Sequence, residues 1–145
     1  MAIKVVVANA HKNQLNNVDA IEEINNIEEI LNENDIVFKE NTINYFFIKG
    51  FYNHKNRSML TIGLLVNKMD SPVKEVHGAL RMKFRNEQAL IAKVILDFDE
   101  QFMGVINPDE ALLVHLNIPV KGLEKDKEFY KVDLDGSFDD VRVTN

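Results

Sequence analysis

The chain has 145 residues, 46% of them hydrophobic and 28% charged, with a net charge of −6 at neutral pH. This is the balance of an ordinary globular chain, long enough for one domain with a core of its own. It contains no cysteine, which excludes disulfide frameworks, thiolate zinc sites and cysteine nucleophiles, and its acidity runs against the basic surface that phosphate contacts require.

Residues 3–8 suit a short strand, and their apolar stretch is too brief for a signal peptide. No run approaches the roughly 20 apolar residues needed to span a bilayer. The expectation is a soluble, cytoplasmic chain, or a cell-surface one if a leader has been removed. Asn16 and Asn17 offer an N-cap for a helix over 18–31. There Ala20, Ile24, Ile27 and Leu31 share one face, Ile21 and Ile30 flank it, and Glu22, Glu23, Glu28 and Glu29 take the remaining surface.

After Asn34 the period becomes alternating. Ile36-Val37-Phe38 and Ile43 to Phe51 are rich in aromatic and β-branched residues and read as strands. Asn53 to Ser58 is a turn, and Leu60, Ile62, Leu64 and Val66 alternate in the next strand. After a turn over 67–72, Val76, Gly78, Leu80, Met82 and Phe84 alternate with His77, Ala79, Arg81 and Lys83. Arg85-Asn86-Glu87 reads as a hairpin connection into a strand with Leu90, Ala92, Val94, Leu96 and Phe98 on its inner face. Leu112, Val114, Leu116 and Ile118 form another strand, and Tyr130, Val132 and Leu134 the last, ending at Asp135-Gly136. Strands without interleaved helices predict a mainly β fold. The expected architecture is an Ig-like antiparallel β-sandwich of about six to eight strands with one N-terminal amphipathic helix. A single domain spans 1–145, with the strand and helix in 1–34 and the sandwich in 35–145.

Chemistry is sparse. His11, His54, His77 and His115 lie far apart and form no metal motif. Asp133-Leu134-Asp135-Gly136 invites comparison with a calcium loop. An EF-hand register, however, puts Lys131 and Arg142 where carboxylates are required, so these residues read as a solvated turn. Asp97, Asp99 and Glu100 cluster at a strand end without a candidate nucleophile nearby. No nucleophile elbow, phosphate loop or zinc-protease motif is present. The reading is therefore non-enzymatic, with no cofactor and no metal. Arg81, Lys83 and Arg85, with Lys93 on the neighbouring strand, make a candidate basic patch. Tyr45, Phe46, Phe47, Phe51 and Tyr52 place aromatics on both faces of one strand, so one set requires a cover and is a candidate interaction surface.

Residues 35–122 resemble the SLAP domain of bacterial S-layer assembly proteins and, more broadly, Ig-like modules of the FxLYD kind. The resemblance runs through Ile43 to Tyr52 and Met59 to Asn67, then Ser71-Pro72-Val73 and Leu80 to Phe84. It continues through Leu90 to Lys93, Gly104 to Pro108 and Leu112 to Pro119. Ala111-Leu112-Leu113 stands where such domains usually carry an aromatic. The resemblance implies a bacterial protein-interaction module linked to the cell envelope or protein export, whose partner is another protein. Two alternatives stand beside it. One is a small ligand-binding protein or enzyme using the acidic strand ends and the histidines. The other is a nucleic-acid-binding module using Arg81, Lys83 and Arg85, which the acidic balance disfavours. The helix face over 18–31 is expected to dock on the sandwich and cover part of the 45–52 run; failing that, it pairs with a second copy in a homodimer.

Overall fold

The computed structural model describes residues 3–8, 18–33 and 36–145, with helix side chains described over 22–32. The expected helix cap at Asn16 and Asn17 and the histidine at position 11 lie outside the described residues.

Strand β1 (Lys4–Val7) precedes helix α1 (Val18–Glu33). Strands β2 (Ile43–Asn53), β3 (Ser58–Asn67), β4 (Glu75–Phe84), β5 (Leu90–Ile91) and β6 (Val94–Phe98) follow. A one-turn helix α2 (Glu100–Met103) leads to β7 (Glu110–Lys121), β8 (Lys127–Tyr130) and β9 (Leu134–Thr144). They form a mainly β sandwich of two sheets. The larger has the order β1-β7-β3-β2-β8, with β5 added to the far end of β7; the smaller is β6-β4-β9. All pairings are antiparallel except that of β1 with β7, which is parallel. Helix α1 follows β1 and carries the chain across to β2 of the same sheet.

Alternation puts one side of each strand between the sheets. Met59, Leu80, Phe84, Ile118 and Phe129 fill one half of this interior. Ile43, Leu65, Val76, Leu96 and Leu112 fill the other. The opposite face of the large sheet is also apolar, because Phe46, Ile62, Leu64, Val66 and Ala111 point away from the small sheet. Helix α1 covers it. Ile27 and Leu31 are buried against that face together with Ile3, Val5 and Phe46. The helix face formed by Ile27 and Leu31 is thus used inside the chain, against one aromatic of the 45–52 run.

The helix also manages an edge. The amide of Val5 donates to Glu28 Oε1 at 2.8 Å and that of Ile3 to Asn32 Oδ1 at 2.8 Å. Glu28, which read as solvated helix surface, and Asn32 therefore replace a missing strand beside β1.

Six expectations need correction. Ile36-Val37-Phe38 is not a strand: Asn44 bonds both the amide and the carbonyl of Lys39, and Phe38 packs edge-on against Phe46. The 85–87 hairpin and the continuous 90–98 strand are absent. After β4 the chain crosses to the large sheet, pairs Leu90 and Ile91 with β7, then returns to pair Val94–Phe98 with β4. Lys93 lies in that crossing and not on a neighbouring strand. The 130–134 run is likewise divided by a 3-10 turn, Lys131–Asp133, that carries the chain from β8 in one sheet to β9 in the other. Asp135 and Gly136 are no turn; they pair with Lys83 and Met82 inside β9.

Candidate interaction surface

Strand β2 is central to the question, because its aromatic residues were the sequence's best sign of a partner. Phe47 and Tyr52 point into the interior and are buried, as is Phe46 beneath the helix. Tyr45 also points inward, with its ring across Gly63 of β3; a Cβ there would lie 2.3 Å from the phenol oxygen, so glycine is what lets the ring pass. Its hydroxyl is enclosed and has no partner of acceptable hydrogen-bond geometry. Burial pushes the Tyr45 pKa up to about 12, and the nearby Thr61 hydroxyl offsets this only in part. Thr61 donates its proton to the Leu116 carbonyl at 2.9 Å. Of the five aromatics only Phe51 is substantially exposed, at 36%, with Lys49 over its ring. Cross-strand Leu60 and nearby Tyr130 extend its patch on the outer face.

The basic patch lies on the outer face of the small sheet, compensated by β9. Arg81 meets Asp139 at 3.0 Å. Arg85 grips Asp135 through Nε at 2.8 Å and Nη2 at 2.6 Å. That contact raises the Arg85 pKa and lowers that of Asp135. Lys83 and Lys93 border a groove beside Ala89 and Ile91. The acidic residues of β9 were legible, but not that they would face these cations, since register across a sheet is not written in either strand alone.

Among the acidic and histidine candidates, His77 and Asp97 do meet, at 2.6 Å, as cross-strand neighbours. They stand on the open outer face of the small sheet, with the Asp97 side chain 74% exposed. Asp99 caps α2 by accepting from the Phe102 amide at 2.9 Å. His115 faces Glu23 of α1 at 3.6 Å, and His54 Nδ1 lies 3.2 Å from the Tyr52 hydroxyl. Among the described residues no group of three or more His, Asp or Glu is placed to hold a metal ion.

The feature that sequence reasoning missed is an open edge. β8 pairs with β2 only at Lys49–Tyr52, so among the described residues positions 43–48 of β2 pair with β3 alone. Along this free edge runs a cleft of 270 Å³. One wall is Ile36, Val37 and Phe38; the other is Arg85, Lys131 and the first residues of β9, Leu134 to Gly136. The cleft exists because the chain leaves the β8 line at Lys131 to join the other sheet. Val37 in its lining is 95% exposed, and Val132, which follows the lining residue Lys131 in the chain, is 72% exposed. The Lys131 ammonium lies over the Phe46 ring, 5.0 Å from its centroid.

No protein-family model matches this chain, and no curated protein or solved structure matches it either. Among the described residues no helix is long and apolar enough to cross a membrane, which leaves strand-built spans unaddressed.

Proposed function

We propose that this chain is a protein-interaction module that engages its partner at the free edge of β2. One observation carries the reading: an unpaired strand edge and a cleft lined by the exposed Val37 coincide at one corner of the sandwich, where Lys131 and its exposed chain neighbour Val132 leave β8. Strand edges with unpaired backbone are templates for another chain, and most proteins blunt them. Exposed apolar side chains beside such an edge supply contact area that costs free energy while it faces water. The resemblance of residues 35–122 to SLAP domains supports a setting in the bacterial cell envelope or in protein export.

The experiment is positional photo-crosslinking in cells or extract. A photoreactive side chain replaces Val37, Val132 or, as a control on the outer face of the small sheet, Ile95, which is 64% exposed. The module reading expects the same protein adduct from positions 37 and 132 and none from 95. Equal labelling from all three positions, or none from 37 and 132, overturns it.

A further inference from the structure

We infer that residues 44–48 of β2 accept an extended peptide segment as an added strand, and that this segment presents a carboxylate to Lys131. The inference rests on the module reading and names the chemistry of its partner.

Most other sheet edges are managed, although residues 114–118 of β7, between the β1 and β5 pairings and ahead of Pro119, also pair with β3 alone among the described residues. β1 is closed by Glu28 and Asn32 of α1. β9 carries Asp135, Asp139 and Asp140, and it is irregular opposite His77 and Ala79, where Asp140 has φ 55°. Charges and bulges of this kind prevent edge pairing. β6 and β8 are only 5 and 4 residues long. Asn44-Tyr45-Phe46-Phe47-Ile48 has no charge and no proline and is rich in strand-forming residues, and its one irregularity against β3 lies at its far end, between Phe47 and Lys49.

Backbone groups along a paired strand point alternately to its two sides. About half of the amides and carbonyls of 44–48 therefore face away from β3. No backbone hydrogen bond from another described segment reaches them on that side. An extended segment laid there continues the line of β8, whose residues already satisfy Lys49–Tyr52 of the same strand. The cleft is an open trough along the strand edge, a shape that suits the alternate side chains of an added strand.

Charge selects the carboxylate. Arg85 and Asp135 neutralise each other at the mouth. No acid among the described residues lies within ion-pair distance of Lys131, which leaves one uncompensated cation on the cleft of an acidic chain. A segment with an acidic side chain, or a terminal carboxylate, answers it.

The test is an NMR titration of the isotopically labelled full chain with capped hexapeptides at millimolar concentration. The parent probe alternates valine and threonine around one central glutamate. A second probe has glutamine there, and a third has N-methylated backbone nitrogens on its pairing side. Shifts are expected at the amides of 44–48 and 131–132. The glutamine probe binds about two- to fivefold more weakly, the size of one exposed ion pair. N-methylation abolishes binding, and Lys131→Gln removes the difference between the first two probes. Equal binding of the N-methylated probe, shifts elsewhere, or no binding of the parent probe overturns strand addition. Equal binding of glutamate and glutamine probes to the parent chain overturns the carboxylate. Crosslinks from Val37 and Val132 without peptide binding would sink this inference alone and leave the module reading standing.

Discussion

Replacing Tyr45 with phenylalanine probes the interior next to the proposed site. The phenol is enclosed between the sheets without a well-formed hydrogen bond, and an unsatisfied buried polar group costs about 1–3 kcal/mol. Tyr45→Phe keeps the ring over Gly63 and removes the hydroxyl, so stability near neutral pH is expected to rise by about 1 kcal/mol. The pH dependence is sharper. Burial holds the folded pKa at about 12, against an ordinary value of 10.0 for a solvated tyrosine. Between those values the unfolded chain releases the proton while the folded chain keeps it, so stability contributed by the neutral phenol is lost as pH rises. Each tenfold difference in acidity between the folded and unfolded chain is worth about 1.4 kcal/mol, which makes the full loss about 3 kcal/mol across that window and nothing below it. Urea denaturation of parent and variant at about pH 8 and about pH 11 isolates the effect, since every other titrating group is common to both. The advantage of the variant should grow from about 1 to about 2 kcal/mol. A constant difference, or a variant less stable than the parent at about pH 8, would show that the hydroxyl is hydrogen-bonded or hydrated, and the reasoning would fail.

Leu31→Ala and Ile27→Ala each remove a buried anchor of α1 and should cost about 2–4 kcal/mol in chemical denaturation; a loss below about 0.5 kcal/mol would mean that the helix is not docked. Asn67 is fully buried, donates to the carbonyls of Ser71 and Ile106, and accepts from the Met69 amide. Asn67→Ala should cost about 3 kcal/mol, because three bonds lose their partner at once; calorimetry checks this. Gly63→Ala drives a methyl into the Tyr45 ring and should cost about 1–3 kcal/mol. That cost should shrink when Tyr45 is also replaced by alanine, a coupling that a double-mutant cycle measures.

The alternation of apolar residues was enough to place β2, β3, β4, β7 and the helix, because a period of two or of 3.6 reports which face of an element is covered. It does not report which sheet supplies the neighbour. Leu90 to Phe98 keeps one phase while the chain changes sheets at Ala92, where the amide still donates to the Pro119 carbonyl. The same holds at Lys131–Asp133, where the Asp133 side chain accepts from the Tyr130 amide and turns the chain. The candidate site was hidden for a related reason. The aromatics of β2 announce apolar surface, yet most of it is covered by the chain itself. What remains open is backbone, and backbone carries no residue signature. Its exposure follows from where β8 stops, a long-range fact. Lys131 read as one charge in a charged turn, and only the crossover sets it over Phe46 at the cleft.

Amide hydrogen exchange along β2 tests the central claim most directly. If residues 43–48 form a free edge, their amides fall into two alternating classes. Those bonded to β3 exchange slowly, at rates set by the opening of the sheet core, and those facing the cleft exchange far faster. Over Lys49–Tyr52, where β8 supplies the second neighbour, both classes are slow. Uniform protection of 43–48 would mean that the edge is already occupied, and no partner could add to it.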